Sequence, residues 1–222
     1  MLTKLCSSRP GRRTGSSLLA ALALVLVAVV PAEAAAKKDP SCKRAGSRTV
    51  AQNGVARVYE VKSPEAERRL YGCRRSTGKR VLLDTAGDDF SEYLITDYEN
   101  VRLAGVRVAW ASSSVDYSCK AACPPGYDGR STSVRVYDLR RRAERAIQGA
   151  DPLGRGLVLS RLGGVAWAVR DAVSGGVEIH ASLRTGDDRV IDSGNIDPKS
   201  LAIEITIISW MRDGVEQFAR LR

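Results

Sequence analysis

Gly105-Val106-Arg107-Val108-Ala109-Trp110, Gly164-Val165-Ala166-Trp167 and Thr206-Ile207-Ile208-Ser209-Trp210 are three versions of one phrase: an apolar run, a small residue, then tryptophan. Each is preceded by another apolar run: Val101-Arg102-Leu103, Leu157-Val158-Leu159 and Leu201-Ala202-Ile203. Each is followed, after a turn, by a run ending in Leu-Arg: Val136-Tyr137-Asp138-Leu139-Arg140, Ile179-His180-Ala181-Ser182-Leu183-Arg184 and Phe218-Ala219-Arg220-Leu221-Arg222. A polar turn and a fourth short run then close the pattern, most clearly in Thr185-Gly186-Asp187-Asp188-Arg189-Val190-Ile191-Asp192. Ser76-Thr77-Gly78-Lys79-Arg80-Val81-Leu82-Leu83-Asp84 is its counterpart nearer the N-terminus. An earlier copy of the unit therefore exists without a tryptophan, and Tyr59 is the residue expected in its place.

The runs are short, rich in Val, Ile, Leu, Tyr and Trp, and separated by Gly, Asp, Asn, Ser and Pro, which is the composition of half-buried pleats between turns. Strands are expected at 56–61, 81–84, 93–96, 106–112, 133–139, 157–161, 165–170, 177–183, 189–191, 201–205, 207–211 and 217–221. Residues 139–147 could carry one helical turn, but the alternation on either side predicts a hairpin. The tryptophans are spaced by 57 and then 43 residues, and the extra 14 match an insertion after Trp110.

A unit of about 43 residues with four strands and one tryptophan resembles a β-propeller blade. The likeness is to propeller repeats in general, and to secreted bacterial propeller-like proteins with no assigned activity. It covers about residues 50–222, with no Trp-Asp strand ending, kelch double glycine or Asp-box to name a subfamily. It implies an all-β array of about four small antiparallel sheets, with units near 49–88, 93–150, 157–195 and 200–222 and an incomplete last one. A strand near 49–51, a second subunit, or nothing at all would complete it. In such an array Trp110, Trp167 and Trp210 are core residues: the indole fills the gap between neighbouring sheets, and the small residue beside it admits the next sheet.

The N-terminus reads as a secretory signal peptide over residues 1–36. Lys4, Arg9, Arg12 and Arg13 form a basic region, 18–30 is an unbroken apolar run, and Ala32-Glu33-Ala34-Ala35-Ala36 offers small residues for cleavage. The run of 13 residues is shorter than a membrane span requires, so no transmembrane anchor is expected in the mature chain. Residues 37–48 read as a polar leader. The whole chain carries a net charge of +10, and removing residues 1–36 takes four basic residues and one acid, leaving +7. Such a surface favours anionic partners.

Four cysteines remain after that cleavage, an even number that predicts disulfides in an exported chain. The expected pairs are Cys42–Cys73 and Cys119–Cys123. The Cys-x3-Cys spacing with a single histidine, His180, argues against a zinc centre, and no cofactor is expected.

Chemistry is sparse. His180 has no Gly-x-Ser-x-Gly partner for a hydrolytic triad and reads as a partly exposed strand residue. Thr85-Ala86-Gly87-Asp88-Asp89 and Thr185-Gly186-Asp187-Asp188 read as turns rather than calcium loops. Glu204 interrupts an apolar run, which predicts a channel-facing or inter-sheet carboxylate with an arginine partner; Asp97 is a second inner-strand acid. The basic groups Arg68-Arg69, Arg74-Arg75, Lys79-Arg80 and Arg140-Arg141-Arg142, with Arg145, are expected at outer turns, where they would protect sheet edges. The loop 116–131 is the best site on this reading, with Tyr117, Lys120, Tyr127 and Arg130 as ligand-binding residues. Aromatics are only 5% of the chain and are spent on the core, which argues against nucleic acid.

Three functions follow as expectations. The first is a secreted, non-enzymatic binding or scaffold module, with an anionic cell-surface polymer or another protein as partner. The second is a hydrolase or lyase using channel carboxylates such as Glu204 and Asp97. The third is a partial ring completed by a partner, with an apolar edge around Phe218 and Leu221.

Overall fold

A computed structural model describes residues 42–64, 67–89, 93–118, 129–183 and 188–221. The described chain is all β, in antiparallel sheets that follow sequence order. β1 (Ser47–Gln52), β2 (Ala56–Lys62), β3 (Arg68–Arg74) and β4 (Arg80–Asp89) form the first sheet. β5 (Leu94–Ala104), β6 (Arg107–Asp116), β7 (Arg130–Asp138) and β8 (Ala143–Gln148) form the second. β9 (Leu157–Leu159), β10 (Val165–Arg170), β11 (Val177–Ser182) and β12 (Asp188–Gly194) form the third. β13 (Ile196–Glu204), β14 (Ile207–Arg212) and β15 (Val215–Arg220) form the fourth. The first two are continuous, because Arg68–Cys73 of β3 pair with the first part of β4 while Gly87, Asp88 and Asp89 pair with β5.

Thr85 to Asp89 are therefore strand, not the turn that their composition suggests. Arg68–Arg74, which the strand pattern does not announce, forms β3: its basic residues alternate with Leu70, Gly72 and the buried Cys73, and pairing on both sides overrides them. Residues 139–147 are a hairpin, with a turn between β7 and β8. β1 pairs with β2 and so does not complete the fourth sheet.

The cores lie between successive sheets. Val58 and Leu70 of the first sheet pack with Val108 and Trp110 of the second. Ala109 and Val134 of the second pack with Val165 and Trp167 of the third. Ala166 and Ile179 of the third pack with Ile208 and Trp210 of the fourth. Because strand neighbours face opposite ways, each tryptophan faces the preceding sheet and the small residue before it faces away. Tyr59 holds the same position on β2 and is fully buried. Among the described residues no sheet precedes it; Tyr71 and the Cys42–Cys73 disulfide cover it instead (S–S 2.01 Å, Cα–Cα 5.8 Å). The first strands touch in the order β1, β5, β9, β13.

The fourth sheet ends differently. Ser209 pairs with Phe218, and Ala166 pairs with Ala181 at the matching place in the third sheet. Ala181 is fully buried beneath the fourth sheet, whereas Phe218 is 63% exposed. Leu221, expected at the same apolar edge, is instead buried on the opposite face against the third sheet.

Candidate functional site

The loop 116–131 contributes only its ends to the description. Tyr117 is exposed and its backbone N–H donates to the Tyr93 carbonyl at 2.8 Å. Arg130 opens β7 and pairs with Asp151 at 3.3 Å. The ends are pinned by Asp116 N–H to the Gly129 carbonyl at 2.9 Å, and Gly129 has φ +78, where a Cβ would strike the Asp116 carbonyl. Lys120, Tyr127 and the Cys119–Cys123 pair lie outside the described residues.

A more informative place lies at the middle tryptophan, Trp167. Trp110 Nε1 donates to Asp84 Oδ2 at 2.6 Å, and Trp210 Nε1 donates to Asp192 Oδ2 at 2.8 Å. In both cases the acceptor sits on the outer strand of the preceding sheet, directly after a core residue, Leu83 or Ile191. The matching residue for Trp167 is Gln148, after Ile147, and Gln148 is exposed. Trp167 Nε1 is buried and has no hydrogen-bond partner among the described residues, and Trp167 is 0% exposed. Such a donor ordinarily finds an acceptor, since leaving it unmade costs about 1–3 kcal/mol.

Trp167 lines a cleft of about 260 Å³ between the second and third sheets, with Gly149, Asp151, Leu153, Arg170 and His180 among its walls. His180 is the cross-strand partner of Trp167, and the two rings stack at 5.6 Å. Its side chain is only 15% exposed, less than a lone strand histidine suggests, because the indole covers one face. His180 Nδ1 lies 2.8 Å from Asp188 Oδ1, and Nε2 lies 3.1 Å from Glu178 Oε2. Each ring nitrogen is committed to a different carboxylate, so these groups do not converge on a common point. Among the described residues no cluster could hold a metal ion. The cleft instead combines carboxylate acceptors from Asp151, Glu178 and Asp188, a guanidinium, and apolar wall from Leu153 and Val169.

The carboxylates singled out for catalysis do not meet. Asp97 pairs with Arg68 at 2.5 Å. Glu204 ends β13 on the open face of the fourth sheet, exposed and without the expected arginine among the described residues. The buried carboxylate is Glu60, 3% exposed, which accepts from the Tyr98 hydroxyl at 3.0 Å and from Arg48 at 3.3 Å, with Arg68 at 3.6 Å. Glu60 shares a face with Ala56 and Val58, and the second sheet covers it. Burial, helped by the Glu60 carboxylate, pushes the Tyr98 hydroxyl well above its usual range. Glu99, although exposed, is held above the ordinary carboxyl range by partial desolvation and then by the nearby Asp151 and Asp97 charges. It is not among the cleft-lining residues.

The arginines divide. Arg140, Arg141 and Arg142 are exposed at the β7–β8 turn, as edge protection would have them. Arg145 is not a turn residue but a tie between sheets, donating to Ser182 Oγ at 2.7 Å, to the Gly163 carbonyl at 2.7 Å and to the Leu183 carbonyl. Burial lowers its pKa, as it does for Arg102, whose guanidinium donates to the Leu157 and Arg155 carbonyls.

No protein-family model and no curated protein matches the chain. Among solved structures it is similar to one from a structural and mechanistic analysis of two prolyl endopeptidases, with 14% sequence identity and a TM-score of 0.45. The match covers 79% of this chain and 29% of that one, so the chain spans less than a third of its neighbour's length.

Proposed function

We propose that this chain is an exported, non-catalytic binding module, built as a propeller-type array of Trp-marked sheets, that takes a hydroxyl-bearing ligand such as a sugar unit in the His180 cleft. The propeller-type reading is supported by the three cores between successive sheets, each carrying one tryptophan turned toward the sheet before it. Export is supported by the pattern of residues 1–36 and by the Cys42–Cys73 disulfide, a bond that persists in oxidising compartments. The basic balance and the exposed arginines at 140–142 favour an anionic cell-surface polymer as the setting in which the module works.

The observation that carries the ligand assignment is the mixed lining of this cleft, which sets carboxylates from Asp151, Glu178 and Asp188 beside the Arg170 guanidinium and an apolar wall. A hydroxyl donates to a carboxylate and accepts from a guanidinium at the same time, which that lining can supply. The hydrolase reading has less support, because Asp97 is engaged by Arg68 and Glu204 stands in solvent.

A glycan array followed by titration calorimetry tests the assignment. Glu178→Gln and Asp151→Asn each remove one acceptor charge from the lining. Each is expected to weaken binding of the selected glycan about tenfold, the value of one good hydrogen bond. No glycan retained by the protein, or full affinity in both variants, overturns it.

A further inference from the structure

The free edge of β15 is self-complementary. Its partner on the inner side is β14, with Arg212 opposite Val215 across the Asp213-Gly214 turn and Ile207 opposite Arg220. Leu221 N–H donates to the Thr206 carbonyl at 2.7 Å. In an antiparallel pair the residues that exchange backbone hydrogen bonds alternate. Val215, Gln217 and Ala219 therefore use their backbone groups on β14, while Glu216, Phe218 and Arg220 present theirs at the open edge. No strand among the described residues pairs there.

The same three residues share one face. Glu216, Phe218 and Arg220 oppose Met211, Ser209 and Ile207, and all three are exposed. Consider a second copy of β15 laid antiparallel along this edge, about a two-fold axis at Phe218. Phe218 then meets Phe218 of the second copy, and Glu216 meets Arg220 of that copy twice over. All three free N–H and C=O pairs find partners in that register. Registers centred on Gln217 or Ala219 use the same backbone groups, but they set Phe218 against Glu216 or Arg220 and leave one charged residue beyond the pair. Charge thus selects one register of the three.

We propose that the protein self-associates through β15, two copies forming a continuous six-stranded sheet centred on Phe218. A row of unpaired N–H and C=O groups is a template for another strand. The occupant is a second copy because the charge order Glu-x-Phe-x-Arg matches itself when reversed. The pairing also sets the Phe218 rings against each other and joins the open faces, which carry Ile207 and Met211 beside them. Neither end of this surface involves the His180 cleft, so the proposal stands apart from the ligand assignment.

Sedimentation of the full chain over a wide concentration range reads it, with charge swaps on exposed positions that leave the fold intact. Glu216→Arg and Arg220→Glu each turn two attractive pairs into two repulsive ones, and each is expected to weaken dimerisation about tenfold or more. The double variant Glu216→Arg/Arg220→Glu restores the order in reverse and is expected to return to near the parent affinity. Phe218→Cys is expected to give a disulfide-linked dimer on oxidation, and Val215→Cys is not. A monomer at every concentration, or single swaps with no effect, or a double variant no better than the singles, overturns the proposal. So does a monomer whose Glu216, Phe218 and Arg220 amides resist hydrogen exchange, since that places a strand from elsewhere in the same chain on the edge.

Discussion

Trp210 Nε1 donates to Asp192 Oδ2, and the same carboxylate's Oδ1 accepts from Arg212 at 2.6 Å, so one outer-strand aspartate fixes two residues of the following sheet. Trp110 and Asp84 make the corresponding tie two sheet boundaries earlier. At the boundary between them stands Trp167, equally buried and without an acceptor among the described residues.

That contrast predicts a graded series. Trp110→Phe and Trp210→Phe should each cost about 1–3 kcal/mol beyond the loss of ring area, because a half-buried carboxylate loses its donor. Trp167→Phe should lose less than the area term, since no hydrogen bond is broken and a buried donor without a partner among the described residues is removed. Urea unfolding of the three variants measures the difference. Equal losses at all three positions would mean the indole–aspartate bonds contribute nothing net.

Glu99 supplies a pH dependence with a definite sign. Its carboxyl is exposed yet held above its unfolded value, first by partial desolvation and then by Asp151 and Asp97, so the folded state disfavours its ionised form. The resulting penalty is present above the folded pKa and fades as pH falls through it toward the unfolded value near about 4.3. Glu99→Gln should therefore raise the unfolding midpoint at neutral pH, and the advantage should shrink on acidification. Thermal melts of both proteins across that range check it; an advantage that grows at low pH would contradict the assignment.

Ile205 occupies the first position of the β13–β14 turn with φ 53, where Gly105 has φ 62 in the β5–β6 turn. A β-branched side chain in the left-handed region costs about 1–2 kcal/mol, and Ile205 is 66% exposed and so has little packing to lose. Ile205→Gly should stabilise the fold by about 1 kcal/mol, less the entropy that glycine adds to the unfolded chain. Chemical denaturation at constant m-value measures it.

The Cys42–Cys73 bond closes a loop of sequence separation 31 and covers Tyr59. Loop-closure entropy for that length is about 3–4 kcal/mol. A Cys42→Ser/Cys73→Ser variant should lose stability of that order, and Tyr59 should gain solvent exposure, visible in its fluorescence or hydroxyl titration. A loss confined to the N-terminal residues with Tyr59 still shielded would show that Tyr71 alone suffices.

Much of the strand pattern was legible because alternation at β2, β10, β11 and β14 is strong and each is bounded by glycine or aspartate. β3 was missed: Arg68, Arg69 and Arg74 mask its period, and its pairing on both sides is a long-range fact. The candidate site was less legible. Trp167 carries the same local sequence signal as its two counterparts, and only the absence of an aspartate at Gln148, one sheet away, distinguishes it. The same limit applies to Glu60 and Glu204: Glu60 was not singled out, and Glu204 was expected beside an arginine. Each is a single acid in an apolar strand, and which is buried depends on whether another sheet lies over it: one does over Glu60, and over Glu204 none does among the described residues.

The sequence by itself determined that the described chain is made of strands, which residues along each strand share a face, and that the three tryptophans are core, because period-two alternation and indole size are local properties. The tertiary structure alone decided which indole finds an acceptor, that His180 stacks on Trp167 between two carboxylates, and that Phe218 lies open while Ala181 is sealed. Those outcomes depend on which sheet faces which, and residues far apart in the chain meet only when the sheets do.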